Sequence, residues 1–200
     1  MNLQETIRRI LKEETQGIQP FLDRTVSTYP ETKEYVDSIK TFIENSNCKM
    51  IEVSAFKYPA LGLALHNGVL FNEKIFEFPL SSFLFVIAHE IAHQYQYKKY
   101  GDDKMYECYL GDISVKEAAE AMKQIEITAD ELATRKVREF IKMGLIDKED
   151  RRVVKSVYHA VPLSHFEKLI SQTRESLKDK NQKSFDDITN YFYNTIKVNT

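Results

Sequence analysis

The sequence predicts an α+β protein, mostly helical, in which a small three-stranded sheet lies beside a buried central helix and a long glutamate-bearing helix. Three observations predict it. The β-rich segments KMIEVSAF, LGLAL and GVLFNEKIF are confined to residues 49–76 and are punctuated by Pro59 and by His66-Asn67-Gly68. The run FLFVIAHEIAHQYQY, residues 83–97, is apolar nearly all round as far as residue 92, the signature of a helix buried on every side. Ser114-x-x-Glu117 then forms a capping box that opens a helical pattern continuing to Gly144.

The elements follow in order. Leu3, Ile7, Ile10 and Leu11 give a short amphipathic helix, ended by a break at residues 17–20. Tyr35, Ile39, Phe42 and Ile43 mark a second helix that starts after Pro30 and stops at the polar ENSN. Asn67-Gly68 is a hairpin or tight-turn signal between the second and third strands. Pro79, with Ser81 and Ser82, starts the buried helix and Gly101 stops it. A loop, DDKMYECYLGDI, leads to the long helix. Three further helices are expected near 148–160, 164–180 and 185–197. With no repeat or long linker, residues 1–200 read as one domain: N-terminal helices over 1–45, a core over 46–144 and C-terminal helices over 145–200.

Composition narrows the function. The chain is 42% hydrophobic and 29% charged with a net charge of −2, an ordinary globular balance that argues against a nucleic-acid or anionic-membrane surface. Two cysteines, Cys48 and Cys108, lack C-x-x-C spacing and read as free thiols in a reducing compartment. The charged amphipathic N-terminus is no secretory signal, and no apolar run is long enough for a membrane span. The expectation is a cytoplasmic protein.

His89-Glu90-Ile91-Ala92-His93 is H-E-x-x-H. On a helix, positions four apart share a face, so both imidazoles can reach one Zn²⁺ at roughly 2.0–2.1 Å. Glu90, on the flank of that face, can take a proton from the metal-bound water. A catalytic zinc also needs a third protein ligand and an open position. The extended form H-x-x-G-x-x-H fails, because Gln96 and Lys99 stand where it needs Gly and His. His66, His159 or His165 could serve, but no pattern supports them. The long helix offers more. Val115, Ala119, Met122, Ala129, Ala133, Val137 and Phe140 form one apolar stripe with Glu126 near its middle, whereas Glu120 and Glu131 lie on the solvated side. Asp130, at the stripe's edge, is placed to accept the second N–H of a ligating histidine.

The pattern His89-Glu90-x-x-His93 followed by Glu126-x-x-Ala129-Asp130-x-x-Ala133 resembles the gluzincin metallopeptidases, over roughly residues 60–140. Within them it is closest in pattern to the branch holding the membrane heat-shock protease HtpX, the CAAX prenyl protease and the soluble minigluzincins. The resemblance implies a zincin-like fold and one Zn²⁺ per chain, with His89, His93 and Glu126 as ligands. It makes Glu90 the general base and Asp130 the histidine orienter. It also puts the substrate-pairing edge strand at Gly68, Val69, Leu70 and Phe71. The chain departs from the family at its S-H-P segment, of which Ser164-His165-Phe166 is only an echo, so the resemblance locates no transition-state stabiliser; His159, His165 and Tyr158 are candidates for which a structural role is the more ordinary reading. The implied activity is peptide-bond hydrolysis of a peptide or protein substrate. A metal-bearing regulatory protein without turnover is the alternative. So is a protease dedicated to one regulatory target, as in the repressor-cleaving enzymes, which typically carry Asn in place of Asp130. Oligomeric state is not legible.

Overall fold

The computed structural model describes residues 17–46, 48–55, 60–66, 68–101, 106–109, 113–147 and 158–177. The helices expected around residues 3–11 and 185–197, and most of the one near 148–160, fall outside these. Where a break was expected at residues 17–20, a helix begins instead: α1 spans Ile18–Thr28. Pro20 is its third residue, and the first turn of a helix has no use for that N–H, so the proline is tolerated. A 3₁₀ segment, Pro30–Tyr35, leads into α2, Val36–Glu44, which buries Ile39 and Ile43.

Three strands follow: β1 Met50–Ser54, β2 Gly62–Leu65 and β3 Gly68–Asn72. β2 and β3 form the expected antiparallel hairpin, with Leu65 opposite Gly68. β1 instead runs parallel to β3, giving the order β1-β3-β2. This corrects the expected edge strand. Gly68, Val69, Leu70 and Phe71 lie in the central strand, buried throughout and hydrogen-bonded on both sides, so they have no free edge to offer. Their unbroken apolar run is what a strand covered on both faces requires. Among the described residues, the unpaired edge next to the buried helix belongs to β2. β3 ends at Asn72, whose side chain accepts from the Lys74 amide and caps a 3₁₀ turn over Glu73–Glu77.

Two helices organise the rest. α3, Leu80–Tyr100, is buried along much of its length, including Phe83, Ile87, His89, Glu90 and His93. α4, Val115–Met143, opens with the predicted capping box, in which Ser114 and Glu117 bond reciprocally, and closes on Gly144 in the left-handed region at φ 87°. The two helices pack against each other, and Ala129 and Ala133 of α4 are fully buried. One core joins α1, α2, the sheet, the first half of α3 and the end of α4. It includes stacked Phe21 and Phe71 with ring centroids 5.5 Å apart. A second core gathers Ala118, Ala119 and Met122 at the start of α4 with Phe166 and Ile170 of α5, Leu163–Ser176. The architecture is mostly helical α+β, as predicted. No described helix is long and apolar enough to cross a membrane.

Candidate metal centre

The site lies where α3, α4 and β2 meet. One helical turn separates His89 from His93, which aims both imidazoles at α4 with Nε2 atoms 3.1 Å apart. Glu126, near the middle of the α4 stripe, brings Oε2 to 3.2 Å from His89 Nε2 and 3.5 Å from His93 Nε2. Ligand atoms on a tetrahedral zinc at the usual bond lengths are separated by about 3.3 Å. The triangle of three donors matches that spacing.

The far side of each ring decides which lone pairs face inward. His89 Nδ1 is 2.8 Å from Asp130 Oδ1, a buried carboxylate oxygen that can only accept. His93 Nδ1 is 2.8 Å from Gln96 Oε1. The Gln96 amide is oriented by its own N–H, which donates to the Ile125 carbonyl at 2.9 Å, leaving Oε1 to accept. Both histidines therefore carry hydrogen on Nδ1, and their Nε2 atoms converge with a carboxylate oxygen. Once the Nε2 atoms are deprotonated, the three ligand atoms are close enough together to hold one metal ion. The donor set, two imidazoles and a carboxylate, suits zinc.

Electrostatics agree. Burial by itself would lower the His89 pKa, but hydrogen bonds to Asp130 and Glu126 outweigh it and carry it to about 10. His93 is likewise raised against its burial, chiefly by the charge of Glu126. Glu126 would be raised by burial, yet the two histidines hold it well below the ordinary carboxylate range. The centre thus attracts positive charge whether the occupant is a proton or a metal.

Glu90 belongs to a different environment. Its side chain turns from the triad toward β2, where its carboxylate accepts from the Ala64 amide. Burial raises its pKa above the ordinary value even though His89 and His93 pull the other way. Pairing of Leu61 with Asn72 sets the alternation by which the backbone groups of Gly62 and Ala64 point away from β3. Gly62 passes so close to Glu90 that a Cβ there would sit 2.5 Å from Glu90 Cγ. Gln94, fully buried, fastens α3 to the hairpin by donating to the carbonyls of Leu65 and Gly68 at 2.8 and 2.9 Å.

A cleft of about 220 Å³ opens over the triad. Its walls are β2 on one side and Tyr97, Tyr106, Tyr109, Met122, Ile125 and Leu169 on the other. Tyr158 completes it, stacked on the His89 ring with centroids 5.7 Å apart and donating its hydroxyl to Glu126. Burial, reinforced by the charges of Glu126, Glu90 and Asp130, pushes this phenol far above its usual pKa, so it remains a donor.

The chain matches no protein-family model, and no curated protein or solved structure is significantly similar to it. What the site is rests on its own geometry. That geometry brings together His89, Glu90, His93, Glu126 and Asp130. It does not bring in His159 or His165. Both are exposed on the stretch around the start of α5 and neither lines the cleft, which corrects the expectation that they stabilise a transition state. His66 is exposed at the hairpin turn. Gln96 is the residue of this site that sequence reasoning missed. Its place three residues after His93, on the same helical face, was the available signal.

Proposed function

We propose that this chain is a zinc-dependent metalloendopeptidase that hydrolyses peptide bonds with a water activated by Glu90. The observation that carries the reading is the convergence of His89 Nε2, His93 Nε2 and Glu126 Oε2 within 3.5 Å, beside a buried glutamate that belongs to none of the three pairings. The gluzincin resemblance of H-E-x-x-H and E-x-x-A-D supports the same assignment and a zincin-like arrangement of α3 and α4. Zinc bound there supplies Lewis acidity to the attacking water and to the scissile carbonyl. Glu90, steadied by the Ala64 amide, takes the water's proton, and its raised pKa suits it to hand that proton to the leaving amine. The open edge of β2 supports capture of an extended peptide by main-chain pairing. Two buried free thiols, Cys48 and Cys108, suit a reducing cytoplasm as the place of action.

Metal analysis of the purified protein, with peptide-library hydrolysis, tests the proposal. The expected result is one zinc per chain, removable by chelators, and hydrolysis that Glu90→Gln abolishes while zinc is retained. A metal-free protein whose His89→Ala variant is equally stable would sink it. Stoichiometric zinc with no peptide cleaved would transfer the chain to the class of metal-bearing regulatory proteins.

A further inference from the structure

We propose that the substrate residue before the scissile bond carries a large apolar side chain, and that a recess formed by Tyr97, Tyr106, Tyr109, Met122 and Leu169 receives it. The inference rests on the peptidase reading above and names its substrate class. The recess is apolar although three of its five residues are tyrosines. The hydroxyls of Tyr97 and Tyr106 bond each other, and that of Tyr109 donates to Met122 Sδ at 3.8 Å, so what the rings leave for a ligand is apolar surface. Among the described residues that line the cleft, the charged or imidazole side chains are His89, Glu90, His93 and Glu126, all at the centre itself. A charged side chain in the recess would lose its water and gain no partner, which is costly. An aromatic or long aliphatic one would gain burial and ring contacts. The cleft's 220 Å³ falls below the roughly 300–1,000 Å³ of sites that enclose a whole small-molecule ligand. It suits a single side chain.

The direction of β2 decides which substrate residue reaches the recess. β2 runs alongside α3 in the same sense: Gly62 lies against Glu90, and Leu65 is held by Gln94, one turn further on. Passing along β2 from Gly62 therefore leads away from Glu90 and toward the tyrosines. Ala64 and Tyr109 already pack against the cluster of Tyr97 and Tyr106. Antiparallel pairing is the more stable of the two modes. A peptide paired that way on the unpaired edge runs against β2, with its N-terminal part beside the tyrosines and its C-terminal part toward Gly62. With the carbonyl under attack at the triad, the residue before the bond extends toward the recess and the residue after it extends away.

Hydroxamates of N-acetylated amino acids test this on the full-length zinc-loaded protein. Each holds the metal through its hydroxamate and carries its side chain where a substrate carries the one before the bond. The phenylalanine compound is expected to bind about 10–100-fold more tightly than the alanine compound, and the glutamate compound no more tightly than alanine's. Leu169 is half-buried, so Leu169→Lys can set a cation in the wall. It should weaken the phenylalanine compound and tighten the glutamate compound, each by about tenfold. Met122→Ala adds no charge; it should weaken the phenylalanine compound by about 3–10-fold and leave the alanine compound as it was. Thermal unfolding and zinc content check that each variant is folded. Equal affinity of the wild type for all three compounds would overturn the assignment, as would folded, zinc-loaded variants that leave the preference unchanged. A peptide library cut with selectivity only for the residue after the bond would also overturn it, with the peptidase reading intact. A wild-type protein that takes up no zinc would overturn both proposals together. If the phenylalanine compound is preferred while no peptide is cleaved, the peptidase reading fails and the recess stands as an apolar side-chain site.

Discussion

Both imidazoles of the candidate centre are held from behind, by acceptors of different charge. Asp130 brings a buried carboxylate to His89, whereas Gln96 brings a neutral amide oxygen to His93 and is itself tied to the Ile125 carbonyl, next to Glu126. Such partners fix the tautomer and the ring direction, and losing one typically costs 10–100-fold in metal affinity. Asp130→Ala and Gln96→Ala are therefore each expected to weaken zinc binding by about 10–100-fold. The aspartate should matter more, since it also makes the ligand more basic. Competition with a chromogenic zinc chelator measures both. If Gln96→Ala binds zinc as tightly as the wild type, packing rather than the hydrogen bond holds the His93 ring. Asp130 was legible in the sequence because it stands one turn beyond Glu126 at the edge of the apolar stripe, where a carboxylate can accept a histidine's second N–H. Gln96 was not, because a neutral polar residue near the end of a helix reads as a solvated one.

At the scale of elements, the seam between β2 and α3 determines where Glu90 sits. Gly62 occupies the one place on the strand where Glu90 leaves no room for a Cβ, and Ala64, two residues on, supplies the amide that Glu90 accepts. Gly62→Ala must move strand or side chain, at a cost of about 1–3 kcal/mol for forced overpacking. The triad itself makes no such contact with Gly62 and should keep its geometry. The expected outcome is a lowered Tm and strongly reduced hydrolysis with zinc content intact. Loss of zinc instead would show that β2 supports the His89–His93–Glu126 triad and not just Glu90. Hairpin, buried helix and capped helix were all readable locally, from Asn67-Gly68, from an apolar run and from Ser114 with Glu117. Strand order was not. Nothing local tells that β1 skips past β2 to pair in parallel with β3, so the central strand was mistaken for the edge. The start of α1 was missed for a similar reason: Pro20 breaks a helix interior but not a first turn.

For the whole molecule, the metal would connect helices that serve different cores. α3 packs mainly in the core with the sheet, while the start of α4 belongs with α5. Zinc held between His89, His93 and Glu126 then adds binding energy to folding, about 2.7 kcal/mol at a free concentration a hundredfold above Kd. At about 2–4 °C per kcal/mol for a chain of this size, Tm should rise by about 5–10 °C. The pH dependence has a defined sign. Without metal, His89 carries a pKa raised from 6.5 to about 10. Its stabilisation is complete below 6.5 and is lost as pH climbs through 10. Glu126 is shifted down, so its contribution is present above the ordinary carboxylate pKa and is lost in acid. Zinc requires the bare Nε2 atoms and must displace protons to bind, so its advantage grows as those protons leave. Thermal unfolding with zinc and with chelator at pH 6, 7.5 and 9 should show a gap that widens with pH, because the chelated protein loses stability on the alkaline side while the zinc form is spared. A gap that is absent, or flat across that range, would mean that zinc does not bind through the two imidazoles.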